Sequence, residues 1–217
     1  MKRESTVVQK VLFRFVKQAV SIARKLTDAA VIKISHPAGN GVSGWKHAVL
    51  HFPRLHMEAT LQEVLDWAEE MERVRAALAL ERGEFPGPSA LCKSFDRAPM
   101  RIWRELLRLS SELLNQSGRA AIDATYFDRR QASNHYLSRC DREVQTVQAT
   151  FLVDTAQGAV IDVHCSTKWP NGTKIGPQVA RRNAGDLLSL AADKGYDDMG
   201  FREELRSEGV RPLIKHR

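Results

Sequence analysis

Cysteine is scarce, three residues in 217. Cys92, Cys140 and Cys165 lie far apart with no Cys-x-x-Cys, which excludes a zinc knuckle and a disulfide framework and suits a reducing cytoplasm. Long apolar runs are missing too, and nothing approaches the ~20 residues of a membrane-spanning helix. A signal peptide is not expected, because Lys10, Arg14 and Lys17 interrupt what would be its apolar core. Low-complexity tracts are absent, so a folded protein is expected rather than a tail.

Positive charge is present in excess. The net charge is +7, and residues 1–60 alone hold ten basic residues against three acidic ones. Residues 61–118 sum to −2 and residues 119–217 to +2. A basic first third favours a polyanionic partner, nucleic acid before membrane.

Three regions follow from the change of period. Residues 1–60 form a basic helical region, with Val8, Val11, Leu12, Phe15, Ala19, Ile22 and Leu26 on one stripe of a helix over 5–27. Pro37 to Gly44 reads as a loop, and Trp45 to His56 as a short helix ended near Pro53. His47 and His51 share a helical face with His56 beyond. No Glu or Cys completes a zinc set, so partly exposed structural histidines are expected.

Residues 61–118 are helical. Thr60-Leu61-Gln62-Glu63 spells a capping box for a helix stopped by Gly83. After Phe85-Pro86-Gly87-Pro88, Ser89 can cap a short helix with Lys93 and Arg97 on its outward side. Helix, tight turn and short basic helix fit a helix-turn-helix, with Lys93 and Arg97 as candidate DNA contacts. A last helix over 101–115, with Leu113 inward, closes at Gly118.

From Gly118 the period becomes that of strands. Ala120–Phe127, Glu143–Asp154 and Ala159–Thr167 read as an antiparallel meander, with a turn at Gln157-Gly158. A helix over 177–187 entered by Pro177, a strand over 189–193, a helix over 199–207 and a strand over 210–215 complete the region 119–217. Asp123 stands as a single carboxylate on an apolar strand. Burial there would be costly without a cation or donor set, and Asp193 at a later strand end is its natural partner.

This order resembles the RNase H-like fold of DDE-type insertion-sequence transposases. The words Ala121-Ile122-Asp123-Ala124-Thr125, Ala191-Ala192-Asp193-Lys194-Gly195-Tyr196-Asp197 and Gly209-Val210-Arg211-Pro212 carry the resemblance, which spans residues 85–217. It implies an α+β/α/β protein, a helical N-terminal region followed by a partial RNase H-like mixed sheet over 119–217. It also implies Asp123 and Asp193 as catalytic metal ligands for Mg²⁺ or Mn²⁺. The chemistry implied is cleavage and strand transfer on double-stranded DNA, at element ends and target, in a nucleoid-associated cytoplasmic setting without membrane. Arg129, Arg130, Arg181 and Arg182 are further candidate DNA contacts, whereas Asp128, Asp197 and Asp198 suit structural duties at strand edges and helix caps. The family's third acid, a Glu, lies on a helix after the last strand seen here, and this sequence ends at Arg217 before such a helix. Two readings stay open: a transposase, inactive as encoded for want of that acid, and a non-catalytic fragment that binds DNA, self-associates or pairs with a full-length transposase.

Overall fold

The shift from helical to strand period near Gly118 becomes a shift of architecture. The computed structural model describes residues 2–28, 44–127, 147–168 and 172–216. Most of the loop expected at 37–44, Asp128, the polar stretch with Arg129 and Arg130, and residues 143–146 of the second expected strand lie outside the described residues. The chain divides into two compact units, Met1–Leu106 and Leu107–Arg217.

The first unit is helical. The helix α1 (Lys2–Asp28) buries Leu12, Ala19, Ile22 and Leu26 of the expected stripe together with Val16 and Ala23, whereas Val11 is exposed. Unlike the expected stop near Pro53, α2 (Gly44–Met57) runs through that proline. Proline forfeits one backbone bond, and here Ala48, Val49, Leu50 and Pro53 itself are buried, so packing holds the turn. The capping box at Thr60 forms as expected: the Glu63 amide donates to Thr60 Oγ1 at 3.2 Å, and the Thr60 amide donates to Glu63 Oε2 at 2.7 Å.

The single helix expected after it is two, α3 (Leu61–Glu70) and α4 (Glu72–Leu78), because Met71 is extended. The break frees the Glu69 carbonyl, which accepts from the Arg75 guanidinium, while Glu69 Oε1 accepts from the Gly83 amide at 2.5 Å. Non-local donors therefore stabilise a break that the local pattern does not signal. Next, α5 (Pro88–Arg97) starts from Gly87 with Pro88 in its first turn, not from Ser89. The helix α6 (Met100–Ser111) stops short of Asn115 and leaves Leu113 exposed rather than inward. Ser110 and Ser111 in its last turn donate back to the Leu107 and Arg108 carbonyls, which competes with further helix.

His47 and His51 are buried, not partly exposed. His51 Nε2 lies 3.1 Å from the Leu91 carbonyl, and the ring meets Phe95 and Trp103 edge-on. Burial, offset partly by that bond, pushes its pKa down to about 4. It is a neutral packing residue joining α2 to α5.

The second unit is a five-stranded mixed sheet in the order β3-β2-β1-β4-β5. Its strands are β1 (Arg119–Phe127), β2 (Val147–Asp154), β3 (Val160–Ser166), β4 (Ser189–Ala192) and β5 (Arg211–Ile214). The first three pair antiparallel, while β4 and β5 join parallel to β1. This mixed sheet has the strand directions that the resemblance implies. Two helices, α7 (Gly172–Asn183) and α8 (Met199–Ser207), pack on one face over Ala120, Ile122, Leu152, Leu190 and Ile214. Pro177 lies inside α7 rather than at its start. The preceding Gly176 explains the close seat: a Cβ there would stand 2.9 Å from Tyr196 Cδ1 and 3.2 Å from Phe201 Cε1.

Gly118 fixes how β4 meets β1. Its φ of +70° suits glycine, a Cβ would fall 2.9 Å from Leu188 Cγ, and its carbonyl accepts from the Leu188 amide at 2.7 Å. With that anchor set, Arg119 pairs with Ser189 and the parallel register runs to Ile122 opposite Ala192.

Candidate active site

Register brings the two predicted acids together. One step beyond the Ile122–Ala192 pair stand Asp123 and Asp193, on strands that neighbour each other at about 4.8 Å. Asp123 lies mid-strand where β4 ends; Asp193 has left β4 and caps a 3₁₀ turn over Lys194–Tyr196.

The burial expected of Asp123 is not found. Both carboxylates are exposed. Strand period is the reason: Ala120 and Ile122 face the helices, so Asp123 faces the other way. Each accepts one local backbone bond, Asp123 Oδ1 from the Ala124 amide at 2.8 Å and Asp193 Oδ1 from the Gly195 amide at 2.9 Å. Neither has a cationic partner among the described residues.

Tyr196 joins them electrostatically. Its ring packs in the core, 3% exposed, and its hydroxyl oxygen is buried without a hydrogen-bond partner at bonding distance. Burial, then the charges of Asp123 and Asp193, push its pKa up to about 12, with the Thr150 side chain relieving a part. Two negative charges therefore bear on one buried oxygen. The Lys194-Gly195-Tyr196 word held the signal, but periodicity alone gives Tyr196 only as core.

Several other acids of this unit are occupied. Asp162 takes two bonds from the Arg182 guanidinium, at 3.0 and 2.8 Å, and one from Asn183 at 2.9 Å. Asp197 pairs with the buried Arg202, and Asp198 caps α8 through the Phe201 amide, as their settings suggested. Arg181 is ion-paired to Glu204 at 2.6 Å, and Arg182 to Asp162, so both predicted DNA contacts already hold a carboxylate. Lys93 and Arg97 are exposed on α5 of the first unit. Among the described residues no group of three His, Cys, Asp or Glu side chains is placed to hold a metal ion. No helix of the described residues is long and apolar enough to cross a membrane.

No curated protein sequence matches the chain. Among solved structures it is similar to the piggyBac transposase, seen by cryo-EM in a synaptic complex with hairpin DNA, at 12% identity and a TM-score of 0.41. That match covers 94% of this chain and 49% of the other, so this chain spans about half the length of that protein. The family model described as Transposase DDE domain matches residues 115–217, a segment that holds all five strands and both acids. That match covers just under half of the chain, and over those residues the chain is similar to the DDE transposase domain family.

Proposed function

We propose that this protein is an insertion-sequence transposase acting on double-stranded DNA, with Asp123 and Asp193 as ligands of a divalent metal ion, Mg²⁺ or Mn²⁺. One observation carries the reading: two exposed carboxylates stand side by side in register, close enough to a buried hydroxyl that it feels both charges. Like charges so placed repel unless a cation lies between them. Transposases of this family generally use divalent metals. Carboxylate oxygens suit a hard cation, and both acids have an oxygen beyond the one engaged by backbone. When bound, the ion would polarise the scissile phosphodiester and clamp attacking and leaving oxygens. Asp123 would orient it from β1, fixed by strand pairing, and Asp193 from the cap of the 3₁₀ turn that follows β4.

The test is Mn²⁺ binding followed by electron paramagnetic resonance and calorimetry, with duplex nicking measured alongside. Asp123→Asn and Asp193→Asn should each abolish Mn²⁺ binding. Mn²⁺ affinity in both variants equal to that of the unmodified protein would refute the ligand assignment. Cleavage of DNA at an equal rate without metal would refute the chemistry.

A second reading, a DNA-binding or transposase-associating fragment without catalysis, requires duplex affinity that survives both substitutions with no metal-dependent nicking.

A further inference from the structure

The first unit holds a cavity of about 740 Å³ between α1 and α4. Lys17, Arg24, Lys25 and Arg73 line it together with Phe13, Ala76 and Ala77, and no carboxylate does. We propose that this groove binds the sugar-phosphate backbone of double-stranded DNA, an inference that rests on the reading of the chain as a DNA-acting protein.

Charge and shape both point there. The four cations are exposed, and none is paired with a carboxylate among the described residues. Arg73 lies over the Phe13 ring at 6.0 Å and Arg24 over the Trp45 ring at 5.1 Å, contacts that hold each guanidinium without neutralising it. Lys17 and Arg24 are seven residues apart on α1, about 10.5 Å along the axis. One DNA strand places a charge every ~3.4 Å of axis, so this row spans roughly three phosphates. Phe13, Ala76 and Ala77 add apolar lining between the cations, which suits deoxyribose between phosphates.

The same facts disfavour a membrane. An amphipathic helix binds lipid through its apolar face, and that face of α1 is buried in the helical core. A single small anion would not need cations spread over two turns. Lys93 and Arg97, the contacts suggested by spacing, lie on α5 and do not line this groove.

The experiment measures affinity of the full chain for a duplex of unrelated sequence by fluorescence anisotropy, as a function of salt. In the variant K17Q/R24Q/K25Q/R73Q, the slope of log affinity against log salt should fall by about 3–4, since each phosphate contact contributes roughly 0.9. Lys17→Gln alone should remove about one such contact. Acetylation footprinting of the unmodified protein gives a second readout free of folding effects: Lys17 and Lys25 should be protected by duplex. An unchanged slope with unprotected lysines overturns the groove while leaving the metal assignment standing. No duplex binding by the wild-type chain at low salt overturns the groove and the DNA reading together. Equal binding to anionic phosphatidylglycerol vesicles, lost in the same variant, overturns it in favour of a lipid surface.

Discussion

Carboxylates in opposite conditions flank the two ends of the parallel β1–β4 ladder, which runs from Arg119–Ser189 to Ile122–Ala192. At one end Asp154, opposite Ala120, is fully buried. It accepts from the Ser117 amide at 2.7 Å, the Ser117 hydroxyl at 2.8 Å, the Ala156 amide at 3.0 Å and the Gln157 amide at 2.8 Å. At the other end Asp123 and its neighbour Asp193 are exposed, with one local amide each. Saturation with fixed donors turns a carboxylate into a structural joint. Exposure beside a like charge leaves oxygens for a ligand. A buried acid is thus the weaker candidate for function in this sheet, the reverse of what an isolated Asp on an apolar strand suggests.

The largest effect expected is at the saturated end. Asp154→Asn turns one acceptor oxygen into a donor facing donors, and should destabilise the second unit by about 2–4 kcal/mol in urea unfolding. Asp123→Asn should shift stability by no more than about 0.5 kcal/mol in the same assay. Burial raises the Asp154 pKa, but the bonds from Gln157, Ser117 and Ala156 outweigh it and hold the carboxyl below its ordinary 3.8. Its contribution is therefore complete above pH 3.8 and is lost as pH falls through the lower folded value. Equal losses in the two variants would erase the distinction between the ends.

Gly118 tests whether register, rather than local sequence, makes the exposed pair. Gly118→Ala forces a positive φ on a Cβ that would meet Leu188 and the Asp186 carbonyl, at a cost of about 1–3 kcal/mol. Because the same residue anchors β4 to β1, Mn²⁺ affinity should also weaken, although Gly118 lies far from the acids in the strand. A variant that loses stability and keeps full Mn²⁺ affinity would show that the pair is positioned without this anchor.

Local grammar made much of this legible. Strand alternation in β1 and β3, the Thr60 capping box, the turn at Gly158 and the stop at Gly209 all depend on neighbours within a few residues. The juxtaposition of Asp123 and Asp193 was legible from the words around them. What escaped depends on contacts distant in sequence. The break at Met71 rests on Arg75 and Gly83 reaching Glu69, and α2 and α7 continue through prolines because packing holds them. Asp154 finds Ser117 thirty-seven positions away. The basic groove needs α4 laid along α1, so charge counts place cations in the first third without revealing that Arg73 joins them.

Tyr196 gives the smallest and sharpest test of the exposed end. Its hydroxyl is buried with no partner at bonding distance, a condition that ordinarily destabilises, and it lies where both acid charges reach it. If the hydroxyl only fills space, Tyr196→Phe keeps the ring against Gly176 and removes an unsatisfied group, so stability should stay level or rise by up to ~1 kcal/mol. If it serves the pair, the phenylalanine variant should unfold at the same urea concentration while its Mn²⁺ affinity falls severalfold. Asp154 admits no such separation, because there the donors and the fold are one arrangement. A Tyr196→Phe protein with unchanged Mn²⁺ affinity and unchanged stability would reduce Tyr196 to core packing and leave metal binding to the two carboxylates.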